Sequence, residues 1–97
     1  MAFVVCSEFL IVEVMDLLRG AEIDYYTRWD NAKGKGHGTE PHLGSGSHGS
    51  TNSVLMIAFE EMAPLERLVE LIRGFNAKMM RPDDRVRLFQ LPLERIV

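Results

Sequence analysis

The chain predicts an α+β fold of βαββαβ order, on three observations. Short β-branched and aromatic runs stand at four places, Ala2–Cys6, Ile23–Trp29, Ser53–Phe59 and Arg85–Leu91. Two stretches between them repeat their apolar residues at helical spacing. One long segment, WDNAKGKGHGTEPHLGSGSHGSTN from Trp29 to Asn52, holds six of the eight glycines and all three histidines, with almost nothing to build a core. At 97 residues the chain reads as one domain, 1–97, with a loop at about 32–52.

The elements follow in order. Ala2–Cys6 is a buried strand by composition. Ser7 offers a hydroxyl for capping, and Glu8 is a favourable charge for a first helical turn. Leu10, Val14, Leu17 and Leu18, widened by Ile11 and Met15, form the apolar stripe of the first helix, and Gly20 can end it in the left-handed conformation. Tyr25, Tyr26, Thr27 and Trp29 favour a second strand. The third strand, Ser53–Phe59, is apolar on both faces, so both should be covered. Pro64 suits the first turn of a second helix. Leu65, Leu68, Leu71, Ile72 and Phe75 make the buried stripe of that helix, and Glu66, Arg67, Glu70 and Arg73 its solvated face. Arg81-Pro82-Asp83-Asp84 is a turn by composition, and Pro92 stops the fourth strand.

This order is the ferredoxin-like split βαβ unit, a four-stranded antiparallel sheet with two helices on one face. Two helices cannot cover both faces. The cheapest cover for the second is the same face of a sister chain, so a homo-oligomer, most simply a closed ring, is expected.

Composition excludes several classes. The net charge of −3 argues against a nucleic-acid-binding footprint. Cys6 is the single cysteine and sits in an apolar run, so it reads as a small buried hydrophobe rather than a disulfide partner or catalytic thiol. No run of 18 apolar residues exists to cross a membrane, and the first residues lack the basic and small-residue marks of a signal peptide. A cytoplasmic protein is the expectation.

The residues of the loop carry most of the chemistry. Lys33-Gly34-Lys35-Gly36-His37-Gly38 reads either as an anion nest, with glycine amides converging on a phosphate or carboxylate beside two lysines, or as a hinge with solvated lysines. His37, His42 and His48 form a candidate site for a divalent transition metal, against the plainer reading of solvated loop histidines. Tyr26 and Trp29 are a stacking platform or a subunit contact. Arg81, Arg85 and Arg87 reach an anion or pair with Asp83 and Asp84. The serines near the histidines lie in a loop too mobile for catalytic geometry, so an enzyme is not expected.

Several stretches together resemble the PII signalling superfamily: Tyr26-Thr27-Arg28-Trp29, Gly34-Lys35-Gly36, Pro41-His42-Leu43-Gly44, Asn52-Ser53-Val54-Leu55 and Leu91-Pro92-Leu93-Glu94. They are similar to a branch of small, poorly characterised PII-like proteins. The resemblance implies a homotrimer with small-molecule sites, classically for ATP or ADP, in the clefts between subunits. It makes the glycine-rich segment a T-loop that touches a protein partner such as a membrane transporter. Gly34 and Gly36 match the glycines that approach phosphate, His37 stands where classical members have an arginine, and Gly38 where they have a glutamine. The phosphate loop after the second helix is replaced by Asn76-Ala77-Lys78-Met79-Met80-Arg81-Pro82, and no tyrosine stands in the loop for modification. The second reading is a metal-binding trimer that uses the loop histidines.

Overall fold

The computed structural model describes residues 1–35 and 51–97. Strand β1 (Ala2–Ser7) leads through a single 3-10 turn (Glu8–Leu10) into helix α1 (Ile11–Gly20). Strands β2 (Thr27–Ala32) and β3 (Asn52–Ile57) flank the loop, helix α2 (Met62–Ala77) follows, and a 3-10 turn (Pro82–Asp84) precedes β4 (Arg87–Gln90). The sheet order is β2-β3-β1-β4, antiparallel throughout. This is the expected α+β, ferredoxin-like arrangement.

The core lies between the sheet and the two helices. Val4 and Cys6 of β1, Leu55 and Ile57 of β3, Val14 and Leu18 of α1, and Leu68 and Ile72 of α2 are buried together. Period-two alternation places β1 and β3 residues of one parity here, and the helical stripes meet them. Cys6 is 2% exposed, and burial, which penalises the thiolate, pushes its thiol up to about 11.

The other parity faces away from the helices. Cross-strand partners share a face, so register alone defines two rows. One row runs Thr27, Met56, Phe3, Phe89; the next runs Trp29, Val54, Val5, Arg87. None of these eight is buried; Trp29 is 47% exposed and Phe89 53%. The second apolar face inferred from Val54 and Met56 is therefore present, and the described residues leave it uncovered.

Several local expectations are corrected. The second strand covers Thr27–Ala32, not Ile23–Trp29. Ile23 is drawn into the core, where its N–H bonds the Leu18 carbonyl at 2.9 Å, and pairing begins only where β3 offers a partner, Met56 opposite Thr27. The left-handed residue after α1 is Glu22 (φ 62), not Gly20. Gly20 instead lies against α2; a Cβ there would stand 3.3 Å from Leu71 Cδ1. Ser7 makes no side-chain cap. Leu71 is exposed rather than buried. Arg67 is not simply solvated: its guanidinium donates to the buried Ala21 carbonyl at 3.1 and 3.3 Å, tying α2 to the end of α1.

Candidate functional site

The base of the loop is built by the facing ends of β2 and β3, whose pairing extends to Ala32 and Asn52. Residues placed by composition at the two ends of a 32–52 loop are thus strand residues, and the connection between the strands is 33–51. Between Trp29 and Ala32 the register slips by one residue. Asn31 absorbs the slip with a positive φ of 59, which asparagine tolerates better than most side chains. The result is a β-bulge, a device that re-aims side chains at the end of a strand.

Contacts of Asp30, Thr51 and Gly34 fasten this stem. Asp30 Oδ1 accepts from Arg28 Nε and from the buried Ser53 hydroxyl, each at 2.8 Å. These donors, Arg28 foremost, hold the Asp30 carboxyl below its ordinary value. Thr51 is tied twice to the turn after β1: its hydroxyl donates to Glu8 Oε2 at 2.6 Å, and its carbonyl accepts from the Glu8 N–H at 2.9 Å. Gly34 packs against Asn52, where a Cβ would come within 3.0 Å of the amide nitrogen Nδ2. A larger residue at 34 would have to push the Asn52 amide aside by a few tenths of an ångström. Glu8 lies in the first turn after β1, as its charge suggested, and also holds Thr51, a role its place before an apolar stripe does not reveal.

Of the sequence-derived ligand residues, Lys33, Gly34 and Lys35 leave the end of β2, with both lysines exposed. Arg81 is exposed just before the 3-10 turn that leads into β4. β2 and β4 are opposite edges of the sheet, with two strands between them. At the usual strand spacing they lie roughly 14 Å apart. The fold therefore places Arg81 and the lysines at the same end of the sheet but does not join them within one chain. Gly36, His37 and Gly38, and the candidate metal ligands His37, His42 and His48, lie outside the described residues. Among the described residues no group of three or more His, Cys, Asp or Glu is placed to hold a metal ion. Also among them, no helix is long and apolar enough to cross a membrane.

At the opposite end of the sheet from Ala32 and Asn52 lies a cleft of about 540 Å³. It is lined by Tyr25, Tyr26 and Thr27, by Met56 and Ala58, by Glu60, Glu61 and Pro64 around the start of α2, and by Ile96 of the C-terminal segment. Sequence reasoning singled out only Tyr26 here. The cleft joins residues from four separate segments, and no single stretch carries its signal.

No protein-family model matches the chain, and no curated protein matches it. Among solved structures it is similar to CPII, a nitrogen regulatory PII-like protein from Thiomonas intermedia K12, whose structure holds ADP, AMP and bicarbonate. The TM-score is 0.59 at 21% identity, over 99% of this chain and 92% of that one. With the sheet order, the two helices on one face and the connection between β2 and β3, this match establishes that the chain has the fold of a PII-like nitrogen regulatory protein.

Proposed function

We propose that the chain is a non-enzymatic regulatory protein that works as a homotrimer. It senses a small anionic ligand or adenine nucleotide at the clefts between subunits and signals through its glycine-rich loop to a protein partner, such as a membrane transporter. The observation that carries this reading is the sheet face left open by the described residues, with Phe3, Val54 and Met56 at its middle and Trp29 on the edge strand β2. A contiguous apolar surface of this kind marks an association site. Association would also bring the Arg81 edge of one subunit towards the Lys33–Lys35 edge of the next, which the single chain leaves apart. The nucleotides and bicarbonate in the CPII structure support the ligand class.

The mechanism is a population shift. Gly34, Gly36 and Gly38 let backbone amides converge on an anion, with Lys33 and Lys35 adding charge and His37 lying within the same segment. The stem is held by Glu8, Asp30 and Asn52. A ligand contacting one loop arrangement better than others favours that arrangement by its differential affinity alone. Calorimetry with ATP, ADP, AMP and bicarbonate tests this. At least one should bind, and Lys33→Ala/Lys35→Ala should weaken it. Silence for all four with the assembly intact would remove the reading.

A further inference from the structure

We propose that, in the assembly on which this reading rests, Arg87 of each chain lies on the indole of the partner subunit's Trp29 and joins the β4 edge of one copy to the β2 edge of the next. Register puts Trp29, Val54, Val5 and Arg87 in one row across the open face. Trp29 ends that row on β2 and Arg87 ends it on β4, the two edges of the sheet. With two strands between them they stand roughly 14 Å apart at the usual spacing, too far to touch within one chain. Both are exposed, Trp29 by 47%. The Arg87 side chain makes no hydrogen bond or ion pair with a described residue.

Charge decides which edges meet. In the two rows of the open face Arg87 alone is charged, among Trp29, Val54, Val5, Thr27, Met56, Phe3 and Phe89. The rows hold no carboxylate to balance it. Covering the face without giving Arg87 a partner would take a guanidinium out of water uncompensated. What the rows offer instead is Trp29, the aromatic face that attracts a cation most strongly. A guanidinium is planar and weakly hydrated, and it stacks well on such a ring. Like edges do not satisfy this need. Two β4 edges meeting would set Arg87 against Arg87, and two β2 edges meeting would leave both arginines unanswered. A β4 edge against a β2 edge pairs every arginine with a tryptophan. Contact between unlike edges is heterologous, and it closes into a ring when the rotation per copy allows. A closed ring also leaves neither sheet edge open to further pairing. The same approach sets Phe89, 53% exposed on β4, beside the next copy's β2 edge, where Thr27 ends the second row.

Trp29 is the single tryptophan, so its fluorescence reports this contact without background. Wild type should sediment as an assembly larger than a dimer. Acrylamide should quench Trp29 less in that assembly than in protein diluted until it dissociates. Arg87→Met keeps an unbranched apolar stem and removes the charge, and it should weaken assembly about tenfold per contact. Trp29→Leu should weaken assembly as well, and adding Arg87→Met to it should cost little more. Trp29→Arg sets two guanidiniums together and should give monomers, whereas Trp29→Arg/Arg87→Trp should restore the assembly. Both positions are exposed, so circular dichroism should match wild type throughout. Additive effects of Arg87→Met and Trp29→Leu, equal quenching in the two states, or a wild-type dimer would overturn the proposal while leaving association in place. A monomeric wild type would overturn it together with the association reading.

Discussion

At the residue scale, two side chains show how burial and pairing set energies. Cys6 lies in the core with its thiol pushed up to about 11 from 9.0, because burial disfavours the thiolate. The folded state therefore holds this proton more tightly than the unfolded chain. Its contribution is complete below pH 9 and is lost as pH rises towards 11. Denaturant melts should show stability falling by ~2–3 kcal/mol across that window, and Cys6→Ala should flatten the fall. Asn76 acts through geometry. Its amide donates to the Val86 carbonyl and accepts from the Val86 N–H, both at 2.8 Å, like a strand partner placed on a helix. Asn76→Leu would leave both backbone groups of a buried residue unpaired. A loss of ~2–4 kcal/mol in urea melts is expected, a sum of two such penalties. Asn76 was legible only as part of a segment replacing a phosphate loop. Its partner lies ten residues on, across a turn, and no local pattern announces such a bond.

At the element scale, the two helical glycines separate cleanly. Gly74 is exposed in α2, and a Cβ there would meet nothing within 4 Å. Gly74→Ala should raise stability by ~0.5–1 kcal/mol, since only the entropy cost of helical glycine is removed. Gly20→Ala must first displace Leu71 Cδ1 by a few tenths of an ångström. Leu71 is 37% exposed and has room to turn, so the gain should be smaller than at Gly74. A side-by-side thermal melt checks the ranking. The helices themselves were legible because their apolar stripes repeat every three to four residues. The second strand was legible in type but not in place. Its aromatic residues favour a sheet equally from Ile23 onward, while the partner strand decides where pairing begins.

At the scale of the whole molecule, the question is what meets the open sheet face. Val54 lies near its middle, between Trp29 and Val5. Val54→Lys would put a charge there without touching the core behind it. Sedimentation should show wild type as an oligomer and the variant as a folded monomer, with the same circular dichroism. A monomeric wild type would refute association through this face. The face was legible early, because strand three is apolar at successive positions and two helices can cover only one side.

By itself the sequence determined the element types, their order, the helix-facing core and the position of the polar connection. These depend on periodicity and composition, which are local. Tertiary structure alone decided the bulge at Asn31, the tie of Thr51 to Glu8, the bond of Arg67 to Ala21 and the cleft between Tyr25 and Glu61. Each of these joins groups far apart along the chain or depends on exact register. Pairwise geometry of that kind arises only when separate elements pack, and no single stretch of residues encodes it.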